Sequence, residues 1–239
     1  MKKKLIILLL SGVFLLSGCA KKYNTISEYS EDMAKVRKGH GDYTIEAVIL
    51  KDGQNLYYKS YIKNNKWKTE LSLDNGSSYT GDGTLYDGNE VYSYSINKNV
   101  AMVIPFGRMF EQKGIKDKNV TEKVMKFINP LGLIYSWDAG ANDLDTALAF
   151  GRMSKKNNFA CRMITSTQDD SELCVSDKYG IAVYAKIYNQ KNGGYVEYNV
   201  KKITNRHLSE YELELPAGIK KMSMADMFQD LANMMKNRG

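Results

Sequence analysis

Histidine, cysteine and proline are scarce in this sequence, and each shortage closes off a class of function. Only His40 and His207 could act as an imidazole base in 239 residues. No G-x-S-x-G elbow, H-E-x-x-H helix or C-x-x-C pair is present, so hydrolysis through an activated serine or cysteine is not expected. A carboxylate pair at glycosidase spacing stays open, because separations cannot be read from sequence. His40 lies in a Gly39-His40-Gly41 turn, where a lone histidine is more often solvated than a ligand. No metal site is expected and no cofactor: Gly81-Asp82-Gly83 and Gly39-His40-Gly41 do not follow a strand and open a helix, as a phosphate loop does. Asp74, Asp82 and Asp87 lack calcium-loop spacing and suit turns instead. The chain also lacks blocks of lysine or arginine interleaved with aromatics, which argues against nucleic acid as a partner.

Long apolar runs are missing too, except at the start. Residues 1–19 read MKKKLIILLLSGVFLLSGC, three lysines followed by an apolar stretch from Leu5 to Leu16. That stretch is short of the roughly 20 residues needed for a permanent membrane helix, and the pattern is that of an export signal. Its ending, Leu16-Ser17-Gly18-Cys19, resembles the bacterial lipobox. The resemblance implies a signal peptide over 1–18, acylation of Cys19 and a short tether over 19–24. Acyl chains on Cys19 would hold the protein to a membrane, each buried methylene contributing about 0.8 kcal/mol. By resemblance to lipoprotein sorting rules, Ala20 after the cysteine implies an outer-membrane location facing the periplasm. With the three lysines of the leader gone, the formal charge falls from +7 to +4, a mild excess compatible with an anionic surface.

What is abundant is tyrosine, seventeen residues against three prolines, which leans toward sheet. From Leu56 to Pro105, short runs of Tyr, Val, Ile and Trp are broken by Asn, Asp and Gly, predicting antiparallel strands linked by tight turns. Asp52-Gly53, Asn75-Gly76 and Asp87-Gly88 are hairpin signals. Alternation places Trp67, Thr69, Leu71 and Leu73 on one face of a strand, and Tyr92, Tyr94 and Ile96 on one face of another. An earlier strand starts near Tyr43, and later ones are predicted at 158–164, 173–175, 181–188, 195–204 and 211–215. Ile26, Tyr29, Met33 and Val36 recur at helical spacing behind a Thr25 to Glu28 capping box, with Gly39 as the stop. Val124 to Ile134 predicts short helices interrupted by Pro130, and 143–150 another helical turn.

Cys161 and Cys174 are the two cysteines left in an exported chain, which predicts a disulfide, the alternative being two buried thiols. Met224, Met227, Phe228, Leu231, Met234 and Met235 mark one face of a helix over 223–237, capped by Ser223 and Asp226. Such a methionine stripe is either core or a lid over a ligand cavity, since methionine repacks readily around apolar partners.

Two segments carry a family resemblance. One is Tyr61 to Pro105, with Leu85-Tyr-Asp-Gly-Asn-Glu-Val-Tyr-Ser-Tyr followed by Val103-Ile104-Pro105; the other is Tyr198 to Gly218, with Tyr211-Glu-Leu-Glu-Leu-Pro216-Ala-Gly218. Together with the order helix, meander, helical insertion, meander, they resemble the superfamily of the bacterial lipoprotein carrier LolA and its receptor LolB, over about residues 25 to 220. The resemblance implies a mainly β fold (α+β) in a single domain over 25–239. It is an incomplete antiparallel half-barrel covered by helices, with helices at both ends. Related proteins hold acyl chains there without catalysis or cofactor. A membrane-anchored binder of lipid or lipoprotein acyl chains is therefore one expectation. The alternative is an envelope sensor or scaffold that binds another protein and fills the cavity with its own helices. The residues expected to line the cavity are Trp67, Leu71, Leu73, Tyr92, Tyr94, Ile96, Met102 and Ile104, with Met227, Leu231 and Met234 over it; plain core packing is the alternative for each.

Overall fold

A computed structural model describes residues 22–72, 75–79, 81–104, 128–138, 144–189, 193–223 and 226. Cys19 and the tail beyond Asp226 lie outside these. Thr25 opens helix α1 (Ile26–His40), its hydroxyl accepting from the Glu28 amide at 3.1 Å. The Glu28 carboxylate reaches back to Asn24 rather than to Thr25 itself, so the expected box is displaced by one residue. The helix runs to His40, one residue past the expected Gly39, and is capped by Gly41, whose φ of 73° suits a residue without Cβ.

Among the described residues twelve strands follow, in one sheet. Seven are β1 (Tyr43–Lys51), β2 (Gln54–Lys63), β3 (Lys66–Leu71), β4 (Gly83–Tyr86), β5 (Val91–Ser95), β6 (Val100–Ile104) and β7 (Leu148–Lys156). Five more are β8 (Phe159–Ser166), β9 (Glu172–Ser176), β10 (Ile181–Asn189), β11 (Gly194–Asn205) and β12 (Lys220–Ser223). Their order is β12-β6-β5-β4-β3-β2-β1-β11-β10-β9-β8-β7, every neighbouring pair antiparallel except β12 with β6, which runs parallel. Two meanders are thus joined through β1 and β11, and β7 and β12 are the edges. The result is an open, antiparallel-rich sheet, as an unclosed half-barrel requires. The β1 to β2 turn is Asp52-Gly53, both residues at positive φ (50° and 75°), as the twist of a two-residue hairpin demands.

Between the meanders lie α2 (Gly132–Tyr135) and α3 (Leu144–Ala147). Helix α1 and residues 128–138 pack on the same face of the sheet, here the inner face. There Ile26, Tyr29 and Met33 of α1 join Leu131, Ile134 and Trp137 in one buried cluster with Tyr43, Ile45, Trp67 and Val183. Polar contacts fix the angle of α1. Arg37 donates to both carboxylate oxygens of Asp138 at 2.8 Å and to the carbonyl of Gly180 at 2.7 Å, and Trp137 donates to the same carbonyl. Gly180 (φ 68°) permits that approach, since a Cβ there would collide with the Met33 carbonyl. Cys161 on β8 and Cys174 on β9 form the disulfide expected from the sequence.

Two strands, β7 and β12, were not expected from the sequence, and the expected strand at 211–215 is instead a 3-10 turn, Glu210–Leu213. Ser209 and Glu212 cap that turn reciprocally, and side-chain bonds of this kind draw the backbone out of a sheet ladder.

Candidate ligand cavity on the inner face

Register sorts the inner-face residues of β2 to β6 into rows. Directly opposed residues point to the same side of a sheet. One row runs Ile62, Trp67, Tyr86, Val91 and Ile104. It is apolar, and Trp67 and Val91 are fully buried in the core beside Leu131 and Ile134. The next row is Ser60, Thr69, Thr84, Ser93 and Met102, four hydroxyls on four successive strands. Its first two hydroxyls are taken: Ser60 and Thr69 are 2.8 Å apart, Thr69 donates to Asn129 Oδ1 at 2.8 Å, and Asn129 Nδ2 donates to Ser60. Asn129 Oδ1 also accepts the Leu131 amide, so this knot pins residues 128–138 to the sheet.

Beyond the knot a cavity of about 400 Å³ opens toward the free ends of β3 to β6. Tyr58, Leu71, Val100, Met102 and Pro130 supply apolar walls, Thr69, Thr84, Ser93 and Ser95 hydroxyls, and Asp82 and Lys98 stand at its rim. Thr84 Oγ1 is buried and has no partner among the described residues. No three His, Cys, Asp or Glu side chains among the described residues could hold a metal ion, and none of their helices is long and apolar enough to cross a membrane.

The other face of these strands is also apolar. Leu85, Tyr92, Tyr94 and Ala101 form a second small core there, covered by Leu215 and Ile219 of the segment that follows β11. Under that segment a depression of about 510 Å³ is floored by the buried ion pair of Lys68 and Glu70, 2.9 Å apart. Tyr94 and Tyr61 lean on Glu70, and burial followed by that negative neighbour pushes both phenols up. The segment is held by Arg206, paired with Glu212, and by Lys63 and Lys66 on Glu210. The bond from Arg206 holds the Glu212 carboxyl down at about 2. Its folded value lies below the unfolded one near 4.3, so the contribution is complete above about pH 4.5 and is lost as pH falls toward 2. The hydrogen-exchange protection factors of the Ser209 and Glu212 amides, taken against the intrinsic rate at each pH, are therefore expected to fall across that window, and Glu212→Gln to shrink the pH dependence.

No protein-family model and no curated protein matches the chain. Solved structures do. An uncharacterized conserved protein from Thermus thermophilus superposes with a TM-score of 0.53 at 11% identity, over 82% of this chain and 99% of that one. That likeness shows the fold alone. The Pseudomonas aeruginosa MucA/MucB complex aligns with a TM-score of 0.47 at 11% identity, over 82% of this chain and 64% of that chain. A LolA superfamily protein from Nitrosomonas europaea aligns at 0.38 and 10% identity, over 81% and 99%.

The expected lining residues are divided by the structure. Leu71 and Met102 line the inner cavity. Trp67 and Ile104 share its face but pack in the core row. Tyr92, Tyr94 and Ile96 were expected on the same surface, and the register corrects this: Val91 and Ser93 face inward, opposite Tyr86 and Thr84, while Tyr92 and Tyr94 face outward with Leu85 and Gly83. Tyr94 borders the cavity only from behind Gly83, and Ile96 lines the outer depression. The reason is physical. Both faces of this half of the sheet are covered, so both carry large apolar residues, and alternation within one strand cannot say which side is which. Leu73, Met227, Leu231 and Met234 lie outside the described residues. Thr84, Ser93 and Tyr58 were missed; the signal for the first two was a column of hydroxyls visible only once the strands are paired.

Proposed function

We propose that this protein is a cell-envelope lipoprotein, anchored by acyl chains on Cys19, that binds an acyl-chain ligand in the inner-face cavity and carries it without chemical change. The observation that carries this reading is the cavity itself. Its volume of about 400 Å³ falls within the roughly 300–1,000 Å³ of ligand pockets, and its walls combine apolar side chains with a few polar groups. The lipobox-like Leu16-Ser17-Gly18-Cys19 supports the anchor, and Ala20 supports an outer-membrane site facing the periplasm. Met102 stands on the wall, partly buried. Met102→Trp is expected to weaken uptake of a fluorescent fatty acyl probe at least about tenfold while shifting the melting temperature by only a few degrees, because the indole grows into space rather than core. Undiminished uptake would count against the cavity as the binding place.

One observation favours a second reading. Over β1, β9 and β10 the inner face is already closed by α1 and residues 128–138, locked by the buried Arg37–Asp138 pair. A sensor or scaffold that fills its own hollow and meets another envelope protein would be built this way, and Met102→Trp would leave such an association unchanged.

A further inference from the structure

The hairpin of β7 and β8 is charged differently from the rest of the chain. Leu148 to Ser166 holds Arg152, Lys155, Lys156 and Arg162 and no acid at all, in a protein whose whole excess without the leader is +4. Arg152, Met153 and Lys155 are exposed on β7, an edge of the sheet, and Met153 is 50% exposed. Lys156 lies over the Tyr184 ring at 4.3 Å. The acids that flank the hairpin in sequence, Asp145 and Asp169, stand at its open end, where Leu148 pairs with Ser166, and Asp145 accepts the Ser27 amide. Asp177, just past β9, faces Arg162 at 4.0 Å and takes the Tyr29 hydroxyl, offsetting one of the four positive charges.

The path of the N-terminus decides what these charges meet. The Tyr23 ring lies 4.9 Å from that of Tyr29, and the Arg162 guanidinium sits 5.8 Å from Tyr23 and 5.6 Å from Phe150. Arg162 is opposite Met153 in the register, so Tyr23 is docked beside the middle of this hairpin. Four residues lead from Cys19 to Tyr23, and fully extended they reach about 14 Å. Acyl chains on Cys19 would therefore bring membrane headgroups within that distance of Tyr23, and Lys21 and Lys22 of the tether add to the same charge. Charges on an edge strand also keep it from pairing with another copy, but that role does not require them beside the anchor. We propose that the β7–β8 hairpin is the membrane-facing surface: Arg152 and Lys155 meet anionic phospholipid headgroups, and Met153 enters the boundary between headgroups and acyl chains. This rests on the reading of Cys19 as acylated. An acyl chain and a basic patch together anchor more firmly than either alone, and each basic residue near an anionic surface strengthens binding by roughly fivefold. Docked in this way, the sheet keeps one attitude to the membrane instead of swinging on its tether.

The test uses the full chain, purified from membranes of cells that export it and checked by intact mass for acylation of Cys19. It is placed in phosphatidylcholine nanodiscs with or without phosphatidylglycerol, with a headgroup spin-labelled phosphatidylcholine as quencher. With Cys19 acylated and Cys161 paired to Cys174, Met153→Cys offers a free thiol for a fluorophore. Tyr211→Cys, at a position 83% exposed in the segment after β11, is the control. In discs with phosphatidylglycerol, quenching of the label in Met153→Cys is expected to exceed that in Tyr211→Cys at least about threefold. Adding Arg152→Glu with Lys155→Glu removes the difference, whereas Arg152→Lys with Lys155→Arg keeps it. Equal quenching at the two positions, or a difference that ignores both phosphatidylglycerol and the charge reversal, overturns the docking surface. So does an unquenched label in Met153→Cys, which leaves the basic hairpin to an acidic protein partner. All three leave the anchor standing where the intact mass shows acylated Cys19. An unmodified Cys19 overturns the anchor and the docking with it.

Discussion

Replacing Arg37 by alanine is expected to lower stability by about 3–5 kcal/mol, the cost of breaking a buried ion pair from one side. Its side chain is 3% exposed and that of Asp138 8%. Alanine would strand the Asp138 carboxylate with Ser30, at 3.1 Å, as its remaining side-chain partner among the described residues, and would leave the Gly180 carbonyl to the Trp137 indole. In a domain of this size that loss corresponds to a fall in melting temperature of roughly 10 °C. The ion pair need not itself be stabilising, because two desolvated charges can cost as much as they return. Arg37→Met combined with Asp138→Leu is therefore expected to regain most of the loss, and the double substitution separates a pair that matters for its own energy from one that matters because half of it cannot be left alone. A single-substitution effect under about 1 kcal/mol would mean that α1 is not fastened to residues 128–138 as described.

Removing the Cys161–Cys174 bond is expected to cost about 3 kcal/mol. The cysteines are 13 apart in sequence, and closing a loop of that length restricts the unfolded chain by an amount of this order. Both residues are fully buried, so alanine at both positions adds a small packing loss on top. They link β8 to β9 in the half of the sheet remote from the cavity. Stability and binding should therefore separate: Cys161→Ala with Cys174→Ala lowers the urea midpoint but leaves uptake of an acyl probe within about twofold at temperatures where the protein stays folded. Burial also shields the bond, so a reductant is expected to act on the unfolded chain and to slow refolding rather than to melt the native protein.

Much of this architecture was legible in the sequence where one local rule was enough. Thr25 caps α1 through its own hydroxyl, Asp52-Gly53 turns the first hairpin, and the two cysteines available to pair do so. What was hidden depended on partners far along the chain. Arg37 reads as an ordinary polar position near a helix end, and nothing local reveals an acid 101 residues away. Strand β7 has a register shift between Phe150 and Met153 that breaks its alternation, and β12 is four residues long with mostly exposed positions. Tyr211-Glu-Leu-Glu-Leu alternates like a strand, yet Ser209 three residues before Glu212 was the competing signature, and it won. The cavity shows the same division. Leu71 and Met102 follow from alternation, whereas the side to which Tyr92 and Tyr94 turn is set by the neighbouring strands.

A lipid held on the inner face of the sheet should travel with the protein through purification. Native mass spectrometry of the chain beginning at Ala20, purified without detergent from cells that export it, tests this most directly. The account predicts one bound lipid per molecule, lost in Met102→Trp. A molecule that emerges empty, and whose melting temperature does not rise when lipids are added, would contradict it.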